Sequence, residues 1–109
     1  MTLETDRAGA PFIGYEAART LPGLFRARVD SAPDRPAYCQ FQDGAWRETT
    51  WAEMARLVAR WQRGLETEGL EPGERVAVSL RNWVDWVAFD QAALGLGLVV
   101  VPLYTTDNP

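Results

Sequence analysis

Between Arg75 and Leu103 the chain reads RVAVSLRNWVDWVAFDQAALGLGLVVVPL, two short apolar runs on either side of a longer, mostly apolar stretch. Val76, Ala77, Val78 and Leu80 form the first run, with only Ser79 interrupting; Leu98 to Val101 form the second, which ends on Pro102. Neither run alternates apolar with polar residues, which is the pattern of strands covered on both faces. Between them Trp83, Trp86, Val87, Phe89, Ala93, Leu94 and Leu96 would cover more than half of a helix's circumference. Such a helix packs on a sheet and on a second element as well. Asn82 is placed to cap it, with Asp85 three residues on as a partial capping box, and Gly95 and Gly97 are placed to stop it. About seventeen residues separate the two runs, enough for a parallel crossover, right-handed by the general rule, and too many for a hairpin. The chain is thereby committed to an α/β class built on a parallel βαβ unit.

The residues upstream supply what such a unit packs against. Thr50-Trp51-Ala52-Glu53 is a capping box, in which the Thr hydroxyl reaches the Glu53 amide while the Glu53 carboxylate reaches back. Trp51, Met54, Val58, Trp61 and Leu65 follow at three- and four-residue steps, an apolar stripe from which Arg56, Arg60 and Arg63 lie away. Gly69 ends that helix, and Pro72-Gly73 matches the two central positions of a type II turn. Before it, Asp43-Gly44 between two β-prone runs predicts a hairpin. Tyr38 and Phe41 would lie on its opposite faces, so the buried face stays open. Further upstream, Leu24, Phe25 and Val29 share a helical face, with Thr20 as cap, Pro22 near the first turn, and Pro33 and Pro36 as stops. Residues 1–20 mix Gly, Ala, Pro and charges and read as a loosely held arm that Phe12, Ile13 and Tyr15 tack onto a surface.

Composition removes several chemistries. The 109 residues suit one domain, and 15 acidic against 11 basic residues give a net charge of -4, which favours no nucleic-acid partner. All basic residues are Arg. With no His there is no ready general base near neutral pH, and with no Lys there is no Schiff base and no Lys to place on a phosphate. The single Cys39 closes no intramolecular disulfide and reads as an inert buried thiol in a reducing compartment. No run approaches a membrane span and the first residues are too polar for a signal peptide, so a cytoplasmic protein is expected.

The remaining features have plain readings. Trp51, Trp61, Trp83 and Trp86 fall on apolar helix positions and are expected in the core instead of on a stacking platform. Gly95 and Gly97 precede a strand, whereas a dinucleotide fingerprint needs its glycines after one. Glu66, Glu68, Glu71 and Glu74 have no calcium-loop spacing and read as a solvated turn. Asp85 and Asp90 do not share a helix face, and Ser79 lacks both a nucleophile-elbow frame and a His to activate it. No catalytic, cofactor-binding or metal-binding residue is assigned to this stretch, and Thr50, Glu53, Asn82 and Pro102 are scaffold.

Four stretches in order resemble the N-terminal part of the adenylate-forming enzymes, the acyl-CoA synthetase, luciferase and peptide-synthetase adenylation family. They are Leu21-Pro22-Gly23-Leu24-Phe25 with Pro33-Asp34-Arg35-Pro36-Ala37; Thr50 to Met54, with Trp51 and Met54 where Tyr and Leu are usual; Gly69 to Ala77; and Ala93 to Leu103. Tyr104-Thr105 after Pro102-Leu103 is most similar to long-chain fatty acid CoA ligases. The resemblance implies that residues 21–109 are an incomplete N-terminal portion of an AMP-binding synthetase domain. It implies a two-step reaction: a fatty acid carboxylate attacks the ATP α-phosphate to give an acyl-adenylate and pyrophosphate, and CoA then displaces AMP. ATP, CoA and Mg2+ are implied for the complete enzyme, with none bound by this chain. The family's phosphate loop and its Lys, Asp and Arg lie downstream, so the partner expected here is the remainder of the polypeptide, with peripheral membrane contact as a further placement. The competing expectation is a self-contained, non-catalytic interaction domain derived from such an enzyme. Unpaired sheet edges would leave the isolated chain marginally stable or self-associating.

Overall fold

The computed structural model describes residues 10–104. In chain order these form α1 (Tyr15–Ala18), α2 (Leu21–Ser31), β1 (Pro36–Gln42), β2 (Ala45–Thr50), α3 (Trp51–Thr67), β3 (Arg75–Val78), α4 (Val84–Gly95) and β4 (Val99–Pro102). The strands make two two-stranded sheets: β1 and β2 pair antiparallel, β3 and β4 parallel. The expected α/β architecture is present, hairpin and helices leading into a parallel crossover.

Local chemistry explains most boundaries. The Thr20 hydroxyl accepts from the Gly23 amide at 3.0 Å, and Pro22 sits in the first turn of α2. Gly23 is needed there, because a side chain would run into the Ala18 carbonyl of α1. Asp43 and Gly44 both take positive φ, 53° and 77°, the backbone twist a two-residue hairpin requires. At the start of α3 the Thr50 hydroxyl accepts from Glu53 N at 3.2 Å, and the Glu53 carboxylate accepts from Thr50 N at 2.7 Å. Arg35 and Pro33 carbonyls take the next two amides, those of Trp51 and Ala52. The first turn of α3 is left with few unpaired donors. After α3, Glu74 N donates to Glu71 O at 3.1 Å across Pro72-Gly73, with Gly73 at φ 91°.

The core lies between α3 and α4 and continues onto the β3–β4 sheet. Met54, Val58, Ala88 and Ala92 form one buried cluster, Val78, Phe89, Ala93 and Leu98 the other. Trp61 and Leu65 pack against both, and Trp61 meets Phe89 edge-on at 5.4 Å. Alanines at 88, 92 and 93 let the helices approach closely, and Gly95 does the same: a side chain there would strike the Gln62 amide.

Four expectations are corrected. Gly95 lies inside α4, and the turn that ends the helix is made by Gly97, at φ 76°, against Pro72. The parallel strands are covered on one face by this chain; Val78 is buried and Val76 and Val100 half-buried, while Ala77, Val99 and Val101 face outward and Val99 keeps 47% of its surface in solvent. Cys39 is exposed, because it stands opposite Glu48 on the outer side of the hairpin. Asn82 does not cap α4. The residue at the cap is Trp83, which offers no side-chain hydrogen bond.

Candidate functional site

The hairpin turns its polar face to the protein. Opposite residues on paired strands share a face, so Gln40 with Arg47 and Tyr38 with Thr49 lie on one side and Phe41 with Trp46 on the other. Phe41 and Trp46 pack edge-on at 5.5 Å in solvent, Trp46 70% exposed. On the inner side Tyr38 lies 5.9 Å from the Trp51 ring, and partial burial raises its hydroxyl pKa.

Gln40 carries the link to the crossover. Its Oε1 accepts from Val84 N at 3.2 Å, at the first residue of α4, and its Nε2 donates to Gln42 Oε1 at 3.1 Å. A side chain from a strand 44 residues upstream therefore supplies the acceptor expected of Asn82. No local motif signals such a contact. Around it Gln40, Gln42, Arg47, Thr49, Leu57 and Val84 line a shallow, open depression between hairpin and helices.

Beside this depression, at the carboxyl end of β3, runs the loop Ser79–Trp83. Trp83 N donates to Arg81 O at 2.7 Å, which draws the two side chains together, and the Arg81 guanidinium sits 5.4 Å from the centre of the Trp83 ring. Trp83 retains 36% exposure, so it is not the core residue its helical spacing predicts. Leu103 N donates to Val78 O at 2.8 Å, bringing the end of β4 to the same edge. Open α/β sheets bind ligands outside the carboxyl ends of their strands.

A second concavity runs between α2, α3 and α4, with a volume of about 640 Å³ and Phe25, Val29, Val58, Gln62 and Gln91 in its lining. The Gln91 Oε1 is buried there without a hydrogen-bond partner. Among the described residues no His, Cys, Asp or Glu cluster is suited to a metal ion, and Ser79 stands in the β3–α4 loop without a base. Thr50 and Glu53 are engaged in capping α3, and Pro102 ends β4 opposite Val78.

The family of AMP-binding enzymes matches residues 25–109. The chain belongs to that family. The chain is 32% identical over 99 residues, 91% of its length, to the long-chain-fatty-acid–CoA ligase FadD15 of Mycobacterium bovis, and spans 16% of that relative. It is also similar to the solved Mycobacterium tuberculosis fatty acyl CoA synthetase, with a TM-score of 0.70 and 29% identity over 79% of this chain and 17% of that one. The fatty acid AMP ligase from Legionella pneumophila shares the fold, with a TM-score of 0.77 at 19% identity over 87% of this chain and 17% of that one. The hairpin, helices and parallel unit are thus those of the N-terminal part of an adenylate-forming enzyme.

Proposed function

We propose that this chain is the N-terminal part of an ATP-dependent acyl-CoA ligase acting on long-chain fatty acids, and that by itself it turns nothing over. The single observation that supports this reading is the 32% identity to a long-chain-fatty-acid–CoA ligase over 91% of the chain. In the complete enzyme, ATP and a fatty acid give an acyl-adenylate and pyrophosphate, and the CoA thiol releases AMP, with Mg2+ screening the phosphates. In this reading residues 1–20 are a weakly attached arm, of which 1–9 lie outside the described residues, residues 21–109 belong to the synthetase domain, and the remainder of the polypeptide is their partner. Within this chain α1 is a single turn, and Phe12 and Tyr15 are exposed. No helix among the described residues is long and apolar enough to cross a membrane. The location proposed is cytoplasmic, with peripheral contact at a membrane where the substrate resides.

What this segment contributes is a frame. The α3–α4 core holds the β3–β4 pair, and the outward Ala77, Val99 and Val101 offer an apolar face to a further layer. The test is fatty-acid-dependent pyrophosphate release, measured for the 109-residue chain and for the product of the reading frame continued past Pro109. Release by the longer product alone is expected. A longer product that cannot form pyrophosphate with any fatty acid would overturn the assignment, as would a stop codon directly after Pro109.

A further inference from the structure

Helix α2 lies on the rest of the fold without burying any of its residues. Its Phe25 and Val29 face α3 and α4 across the cleft described above, about 640 Å³ in volume, with the buried Val58 in its floor. That volume falls within the range of about 300–1,000 Å³ usual for small-molecule sites, which form between packed helices among other places. Two carboxamides reach into it. Gln62 is tied down: its Nε2 donates to the Ala92 carbonyl at 3.3 Å, in space that Gly95 leaves open. Gln91 is not, and its Oε1 is shielded from solvent and accepts no hydrogen bond. A buried acceptor without a donor carries a desolvation penalty that a bound N–H relieves.

We propose that this cleft binds a neutral, largely apolar molecule carrying one N–H donor, seated between α2 and the α3–α4 pair with its donor on Gln91 Oε1. The walls select an apolar body. The lip selects neutrality: Arg26 and Asp30, exposed one turn apart on α2, place one charge of each sign there. An ammonium therefore meets the guanidinium, and a carboxylate meets both Asp30 and the negative end of the Gln91 carbonyl. A hydroxyl brings lone pairs that need donors of their own, whereas a ring N–H of the indole type only donates. The lining comes entirely from α2, α3 and α4, so the site owes nothing to the parallel sheet and does not rest on the ligase reading.

The probes are indole and N-methylindole, one ring system with and without the donor. Each is titrated into the isotope-labelled 109-residue chain while NMR follows the side-chain amide resonances of Gln91 and Gln62. Indole should shift both and saturate with a dissociation constant on the order of millimolar, and N-methylindole should bind roughly fivefold more weakly, the worth of one hydrogen bond. Gln91→Met keeps the length of the side chain and removes the acceptor, so the two probes should then bind equally. Ala59→Leu, at an exposed position of α3 that lines the cleft, should abolish binding of both, and it locates the site even if Gln91→Met does not fold. Equal affinity of the two probes for the unsubstituted chain means that water meets the acceptor, and it overturns the proposal. So does the absence of a saturable shift, or indole binding that Ala59→Leu leaves unchanged. The product of the reading frame continued past Pro109 should bind indole as well. A cleft closed to indole in that product belongs to later residues of the polypeptide, and the proposal falls.

Discussion

The two long helices begin in opposite ways. Helix α3 carries its cap in its own sequence: Thr50 and Glu53 exchange hydrogen bonds across three residues, while the Trp51 and Ala52 amides reach the Arg35 and Pro33 carbonyls ahead of the hairpin. Helix α4 opens on a residue from elsewhere, its first amide held by Gln40 of the hairpin. In the first arrangement the capping box lets the start of α3 be held by residues three apart. The second makes the start of α4 conditional on the hairpin being folded and in place, so the crossover that defines the fold is completed by a contact distant in sequence. Both helices then share a single interface, and that interface sets the largest effect available.

Met54 is fully buried where α3 meets α4. Met54→Ala should cost about 2–5 kcal/mol, the usual range for such a truncation. Urea unfolding checks it, and both helices should lose stability together. If far-UV and tryptophan signals separated into two transitions, α3 and α4 would not be one cooperative unit.

Thr50→Ala comes next, at about 1 kcal/mol, because the Glu53 amide loses its acceptor at an exposed helix end. The loss should be confined to the first turn of α3. Faster amide hydrogen exchange at Glu53, with exchange at Val84 unchanged, would sharpen the contrast between a local start and a remote one.

Gln40→Ala should cost about 0.5–1.5 kcal/mol, the net worth of an ordinary hydrogen bond. Its signature is distance: faster exchange at Val84, together with loosening of Gln42, whose side chain accepts from Gln40. Asn82→Ala, the substitution that sequence reasoning would have chosen, should stay within about 0.5 kcal/mol. Equal losses for Asn82→Ala and Gln40→Ala would break the comparison, since α4 would then have a local cap after all.

The same division decides what was legible beforehand. The Thr50–Glu53 box, the Thr20 cap, the Asp43-Gly44 hairpin and the Pro72-Gly73 turn were readable because each is closed by residues two to four apart. The inward face of the hairpin was not, because both faces carry an aromatic ring, and the seating of Gln40 against α4 and of Tyr38 against Trp51 breaks the tie. Cys39 follows from that choice, its exposure set by the face on which Glu48 opposes it. The outward half of the β3–β4 sheet also resisted reading. An unbroken run of valines predicts two covered faces, and within this chain one is covered. As for the site, the family could be recognised from four ordered stretches, yet none of them includes Gln40 or Arg81. Arg81 follows β3 in sequence, whereas Gln40 is brought to the start of α4 by packing and not by spacing.

The smallest predicted effect tests the buried side of α4. Asp90 is half-buried on that helix, and desolvation raises its pKa above the ordinary carboxylate value. The folded chain therefore holds the Asp90 proton to higher pH than the unfolded chain does. Between the two values the folded state binds more protons, so stability falls as pH rises through that window and is constant above it. Asp90 lowers stability at neutral pH, and the penalty disappears once the medium is acid enough to protonate the unfolded chain too. Asp90→Asn should raise the urea midpoint slightly at pH 7 and leave it nearly unchanged below pH of about 3.9, where Asp is protonated even when unfolded. Asp85, exposed in the first turn of the same helix, is the control. Its charge favours the positive helix end, so Asp85→Asn should lower stability at pH 7. If the two substitutions moved stability in the same direction at neutral pH, desolvation would not be what distinguishes them, and α4 would carry its charges on one continuous solvated face.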